Sequence, residues 1–245
     1  MKTSSSSRLT TFINLDQDVS VKNKAVQGSE IDLLVNYPKS KRNVEDRGQS
    51  KTEADRAIAR KFGKEFFDGD RSQGYGGFNY LPRFWQPVVP TLQQHFGLDS
   101  TSSLLDVGCG KGFMMHDLAE LIPGITVKGI DVSEYAIANA IEDMRPHAQV
   151  ADARKLPFAD DSFDVVISIN TIHNLVREEC GKALQEIERV SRGKSYITVD
   201  AYRTEEEKTR MYAWNLTAQT IMHVDEWKAF FEEVGYTGDY YWFIP

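Results

Sequence analysis

Residues 104–112 read Leu-Leu-Asp-Val-Gly-Cys-Gly-Lys-Gly: an apolar run, the carboxylate of Asp106, then alternating glycines at Gly108, Gly110 and Gly112. Glycines in this position let the backbone turn sharply and approach a ligand closely, and a helix start just beyond supplies free N–H groups. A nucleotide-like molecule is the natural occupant, with a ligand-free strand-to-helix turn as the plainer reading. A dinucleotide fingerprint needs a third glycine where Phe113 stands, and Lys111 is not followed by the Ser or Thr of a phosphate-binding P-loop. Two more carboxylates follow at similar places. Asp131 closes the apolar run of Gly129-Ile130-Asp131-Val132-Ser133, where it can take both hydroxyls of a ribose or cap the next helix, although Ser133 is available for capping. Asp152, in Ala151-Asp152-Ala153, can accept from an exocyclic adenine amine or stand as a solvated turn residue.

The elements that must position these groups alternate regularly. Strands are expected at 104–107, 127–132, 148–151, 163–169 and 195–199, and helices at 113–121, 135–144 and 178–190. Helices at about 205–219 and 225–234 and an aromatic strand at 240–244 follow. Short apolar strands separated by helices imply parallel pairing with right-handed crossovers, hence an α/β fold with a doubly wound, mostly parallel Rossmann-like sheet. Its ligand sits beyond the carboxyl ends of the strands. Residues 99–245 form this core. Residues 50–98 add a helix from Ser50, where Ser50 and Glu53 have capping-box spacing and Ala54, Ile58, Phe62 and Phe66 recur every four residues, and a second helix at 87–96 stopped by Gly97. Between them, the glycine- and aromatic-rich stretch 69–83 has no regular period and reads as a loop. Residues 1–49 read as an N-terminal arm, partly disordered before about residue 8.

Composition narrows the class. Lys and Arg number 29 against 36 Asp and Glu, a net charge of −7, so the whole-chain field does not attract nucleic acid. With 41% hydrophobic and 27% charged residues, fibrous and wholly disordered classes are excluded. Cys109 and Cys180 give neither a disulfide framework nor metal-ligand spacing. No run of 18 apolar residues exists to span a membrane, and the serine-rich start lacks a signal-peptide core, which sets the expectation of a cytoplasmic protein.

Residues 103–200 resemble the nucleoside-binding half of class I S-adenosylmethionine-dependent methyltransferases, and residues 151–168, ADARKLPFADDSFDVVIS, resemble the small-molecule branch of that superfamily. The resemblance implies the class I methyltransferase fold, with S-adenosylmethionine as cofactor and S-adenosylhomocysteine as product. Carried onto matching positions, it implies that Asp106, Gly108 and Gly110 hold the methionine part, Asp131 the ribose with Val132 beside it, and Asp152 with the Ala153 backbone the adenine. In Ser168-Ile169-Asn170-Thr171-Ile172-His173-Asn174-Leu175, Asn170 becomes the candidate cofactor contact. His173 becomes the candidate catalytic residue, placed to deprotonate or orient an acceptor; a histidine packed under a loop is the alternative.

The loop from Arg71 to Arg83 becomes a candidate lid. Its Tyr75, Phe78 and Tyr80 can cover a sulfonium, and Arg71 or Arg83 can pair with a carboxylate. Tyr202, Arg203, Tyr212 and Trp214 become acceptor-pocket candidates, or equally an aromatic core stripe. The family sheet ends with two strands after its last helix, whereas one is visible here, so residues 9–15 or 31–35 are expected to fill the edge, within one chain or across a homodimer.

The expected activity is methyl transfer to a small polar or carboxylate-bearing acceptor. RNA or protein methylation stays open because residues 39–64 carry nine Lys or Arg against four acidic residues. A non-catalytic cofactor-binding subunit is the third reading. The chain has no metal-ligand motif, so methyl transfer is expected to keep its full rate in excess EDTA; loss of the rate, restored by a single divalent ion, would overturn this expectation.

Overall fold

The computed structural model describes Met1, residues 28–38 and residues 51–245. Two short helices come first, α1 (Glu53–Ala59) and α2 (Lys64–Asp68), then α3 (Val89–Phe96). The core follows as β1 (Ser103–Val107), α4 (Phe113–Leu121), β2 (Thr126–Asp131), α5 (Glu134–Ala138), β3 (Ala148–Val150), β4 (Val165–Ile169), α6 (Arg177–Val190) and β5 (Ser195–Tyr202). It closes with α7 (Glu205–Trp214), β6 (Met222–His223), α8 (Val224–Val234) and β7 (Asp239–Phe243). These strands form one sheet in the order β3-β2-β1-β4-β5-β6, with β7 also beside β5, and all their pairings are parallel.

Strand alternation divides the core. Leu105 and Val107 of β1 belong to the core cluster that holds Leu184 and Ile187 of α6 and Trp227 and Phe231 of α8, whereas Leu104 belongs to the cluster that holds Leu92 of α3 and Met115 and Leu118 of α4. With both faces covered, β1 is the buried centre, and the chain leaves it in one direction through β2 and in the other through β4. The loops after β1 and β4 therefore diverge and open a crevice at the carboxyl edge.

Several elements differ from the sequence expectation. The helix from Ser50 is two helices, broken where Phe62 takes φ 49° before Gly63; its capping box is Thr52 with Asp55, and Ser50 lies outside the described residues. The helix expected at 135–144 stops at Ala138, because the Ile141 N–H is spent on Lys111 C=O (2.9 Å) and draws the chain to the glycine loop. The helix expected to reach 219 ends at Trp214, after which the Asn215 side chain bonds both backbone groups of Ala218 (2.8 Å each). Strand β5 runs three residues beyond its expected end, where β6 pairs with Ala201 and Tyr202.

The outer edge of β7 is covered from within the same chain. Ile31 N–H donates to Tyr240 C=O (3.0 Å), and Tyr240 N–H donates to Ser29 C=O (3.1 Å). Residues 33–36 then form a turn, so 31–35 is not the expected strand, and residues 9–15 lie outside the described ones. Glu30 pairs with Arg203 (2.8 Å) and Lys228 (3.1 Å), while Leu33 is buried against the α3 side of the core. Among the described residues no helix is long and apolar enough to cross a membrane. Because Leu33 anchors this cover, Leu33→Ala is expected to lower the unfolding free energy by about 2–4 kcal/mol in urea titration; a change below about 0.5 kcal/mol would mean that the segment only rests on the sheet.

Candidate cofactor and acceptor site

The crevice starts at the turn after β1. Gly108 and Cys109 N–H both donate to Ile130 C=O on β2 (2.8 and 3.0 Å), tying the turn to the neighbouring strand. Gly108 has φ +90°, and a Cβ there would lie 2.0 Å from Thr171 Oγ1, so only glycine lets the loops after β1 and β4 touch. Gly110 N–H donates to Asp131 Oδ2 (2.8 Å) and Ser133 N–H to Asp131 Oδ1 (2.8 Å). Each Asp131 oxygen thus keeps further acceptor capacity. Asp106 is buried close by: burial first, and the Asp131 charge second, push its carboxyl up to about 8. Burial also raises Asp131, against the backbone N–H bonds from Ser133, Gly110 and Val132. Two such carboxyls on one wall suit a ligand that brings an ammonium and vicinal hydroxyls.

Around this pair, Asp152 is gripped by Arg154, whose Nε lies 2.9 Å from both carboxylate oxygens and holds Asp152 below its ordinary range despite partial burial. Asn170 adopts φ +51°, with its N–H on Thr198 C=O (3.0 Å) and its side-chain oxygen accepting from Thr198 Oγ1 (2.9 Å). His173 is buried. Its Nδ1 accepts from Asp200 N–H (3.0 Å), so the neutral ring carries its proton on Nε2, 3.7 Å from Asp200 Oδ1. Burial lowers the His173 pKa, and the Asp200 charge opposes this. With Nδ1 already accepting and Nε2 protonated, the ring has no lone pair left to deprotonate an acceptor; orienting one remains open to it.

The aromatic loop folds over the crevice. Tyr75 and Gly77 N–H donate to Phe66 and Phe67 C=O (2.9 and 3.1 Å), and Phe78 N–H donates to Asp68 Oδ1 (3.0 Å). Lys111 of the glycine loop donates to both Asp68 oxygens (2.9 and 2.7 Å) and to Phe78 C=O (2.9 Å), and Tyr135 OH adds a bond to Asp68 (2.7 Å). Partial burial works against ionisation, yet the bonds from Lys111 and Tyr135 hold Asp68 at about 2. Phe78 stacks on Phe113 at 4.9 Å between ring centroids and reaches Gly110.

One cavity of about 1100 Å³ unites most of the expected residues: Asp106, Gly108, Gly110, Asp131, Val132, Asp152, Ala153 and Asn170 line it. His173, Tyr75, Arg71, Arg203 and Trp214 line it as well. Tyr80, Arg83 and Tyr202 stand elsewhere. Tyr80 OH donates to Asp117 on α4 (2.6 Å), Arg83 is exposed above the Phe84 ring, and Tyr202 is buried edge-on to His223. Tyr212 is exposed outside the lining. Away from the cavity, His116, Asp117 and Glu120 bring one donor atom each within 4.8 Å of one another, with His116 Nδ1 already on Asp143 (2.6 Å).

Sequence reasoning passed over Lys51, Thr171, Thr198 and Asp200, all on the cavity wall. Asp200 follows an apolar strand run just as Asp106 and Asp131 do, a signal that was there to read. Nothing in the local sequence marks Lys51.

These features define a doubly wound protein with a nucleoside-type cofactor site at its topological switch point. Residues 98–235 match the methyltransferase domain family, and the chain belongs to that family, with S-adenosylmethionine as its cofactor. It is 30% identical over 145 residues to a tRNA (carboxymethyluridine(34)-5-O)-methyltransferase of Arabidopsis thaliana, covering 58% of this chain and 33% of that one. It is 31% identical to an uncharacterized protein of Haemophilus influenzae over 57% of this chain and 60% of the other. The chain thus spans a third to three fifths of the length of these relatives. The YcgJ protein of Bacillus subtilis superposes with a TM-score of 0.49 at 21% identity, over 60% of this chain and 66% of that one.

The residues present fit the cofactor: two buried carboxyls, Asp106 and Asp131, line one cavity beside the glycine turn, a pair that an ammonium and ribose hydroxyls would complement. The cavity also exceeds the roughly 300–1,000 Å³ typical of one small-ligand pocket. The carboxyl of Asp106 carries a stability cost. Between about pH 4 and 8 it holds a proton in the folded protein that the unfolded chain has lost, so its contribution to stability falls as pH rises. Asp106→Asn is therefore expected to raise the melting temperature of cofactor-free protein at pH 8 and leave it nearly unchanged at pH 4; equal shifts at both pH values would count against the buried-carboxyl account.

Proposed function

We propose that this protein transfers a methyl group from S-adenosylmethionine to a small polar acceptor. The observation that carries the reading is the two-ended cavity. Its β1–β2 end has the buried carboxyls Asp106 and Asp131, and its β4–β5 end is lined by His173, Asp200, Arg203 and Trp214. When bound, the cofactor supplies a sulfonium-activated methyl group for in-line displacement, so positioning and water exclusion account for much of the work asked of the protein.

In this reading Asp106 pairs with the cofactor's ammonium, and the Gly108–Gly110 backbone gives it close approach. Asp131 accepts the ribose hydroxyls through its remaining lone pairs. Val132, 57% exposed, offers an apolar face to the base, and Asp152 with the Ala153 backbone borders its amine edge. Asn170, held against Thr198, borders the methionine end. Tyr75 and Phe78 form the cover over the sulfonium, and the Asp68–Lys111 ion pair fastens that cover to the glycine loop. The net charge of −7 gives the whole chain no attraction for a polyanion, which favours a small molecule over RNA as the acceptor.

Calorimetric titration of S-adenosylhomocysteine tests the cofactor end. The wild type is expected to bind, and Asp131→Ala to bind at least about tenfold more weakly, since hydrogen bonds to a charged group are worth about 1.5–3 kcal/mol. Equal affinity in the two proteins would remove Asp131 from the site.

A further inference from the structure

The β4–β5 end of the cavity contains a carboxylate that the cofactor end does not use. Asp200 lies on β5, is 7% exposed and lines the cavity. Its backbone is fixed on both sides: the N–H donates to His173 Nδ1 (3.0 Å), and the C=O accepts from Trp227 Nε1 (3.0 Å). Its side chain is in the opposite condition. Neither carboxylate oxygen accepts a hydrogen bond from the described residues, and His173 Nε2, 3.7 Å from Oδ1, stands beyond hydrogen-bond reach. Asp131, by contrast, has a backbone N–H on each oxygen. A buried carboxylate without such donors is costly unless a ligand or solvent supplies them.

We propose that Asp200 is the acceptor-binding carboxylate: it receives the N–H or O–H of an amine or hydroxyl nucleophile and takes that proton as the methyl group is transferred. This assignment rests on the methyl-transfer reading above and narrows it. A carboxylate oxygen as the methylated atom needs no base and is repelled by Asp200, whereas a protic nitrogen or oxygen both needs the base and supplies the missing donor. The neighbouring apolar wall, where the Trp214 and Phe243 rings stand 5.9 Å apart and both line the cavity, suits an acceptor with a flat or apolar face beside that group.

The step balances. A lone pair of the acceptor nitrogen or oxygen forms the new bond to the methyl carbon, and the carbon–sulfur bond breaks with its electron pair left on sulfur. The acceptor's N–H or O–H electron pair stays with the acceptor, and its proton passes to an Asp200 oxygen and then to water. One positive charge on the sulfonium and one negative charge on Asp200 are lost together.

Charge around Asp200 supports the assignment. Burial raises its proton affinity, while His173, whenever its ring is protonated, and the facing Lys51 ammonium act the other way. A carboxylate whose affinity lies above the ordinary range is a stronger base than a solvated one.

The test uses the full chain as wild type, Asp200→Asn and Asp200→Glu. Each is titrated with S-adenosylhomocysteine, then given tritiated-methyl S-adenosylmethionine and a deproteinised metabolite extract, and the labelled product is treated with mild base, which releases methanol from carboxyl methyl esters. The expected result is base-stable label. Asp200→Asn should lower the initial rate about 10²–10⁴-fold with homocysteine-cofactor affinity unchanged, Asp200→Glu should recover part of the rate, and the acid-side fall of the wild-type rate should vanish in Asp200→Asn.

Base-labile label, or an Asp200→Asn rate equal to wild type, overturns the proposal. Loss of S-adenosylhomocysteine binding in Asp200→Asn overturns it too, by placing the residue at the cofactor end. A wild type that binds S-adenosylhomocysteine yet labels nothing defeats the methyl-transfer reading, and the proposal with it.

Discussion

The burial of Asp106 and Asp131 against each other constrains the rest of the structure. Two carboxyls in one low-dielectric wall are unfavourable neighbours, and the fold accepts them only where the end of β1 meets the end of β2. The Gly110 N–H is spent on Asp131, the turn at Gly108 is pressed against Thr171, and the aromatic loop lies on top. The first of these gives Asp131 a donor, and Phe78 of the loop reaches Gly110, which supplies it. The site is therefore least favourable when empty and gains most from a cationic, hydroxyl-rich ligand.

Much of this was legible in the sequence because the signals are local. Helix α4 runs from Phe113 to Leu121 as its periodicity requires, and the three glycines before it all take positive φ. The order of strands and helices through β5 follows from apolar runs a few residues long. What escaped was decided at long range. The helix after β2 is cut short by a bond to Lys111, thirty residues upstream, which no local propensity reports. The loop after α2 has no period of its own because its order comes from Asp68 and Lys111, residues 43 positions apart. Asp200 sits in a strand that continues beyond its apolar stretch only because β6 and β7 both pair with it.

The two ends of the cavity also differ in construction. At the β1–β2 end, backbone N–H groups of Gly110 and Ser133 position Asp131, and the turn that supplies the first of them needs glycine at Gly108. At the β4–β5 end, the positioning runs through side chains: His173 holds the backbone of Asp200, and Trp227 holds it from behind. The first arrangement tolerates little change in residue type. The second can be remodelled by altering Lys51, Trp214 or Phe243 without disturbing the glycine turn, which gives one scaffold room for different acceptors.

The cover on β7 bears on how the chain acquires its shape during synthesis. Ser29 and Asp239, joined across that edge, are 210 positions apart. At about 5–20 residues per second, a ribosome needs roughly 10–40 s to make the strand that the early segment will meet. Residues 29–31 must wait through that interval while β1 to β5 can already assemble. Docking of this segment is thus a closing step of folding, driven by the burial of Leu33 against a long loop closure whose entropic cost grows only slowly with length. Until it happens, the face of the core that Leu33 covers in the folded chain is without that cover.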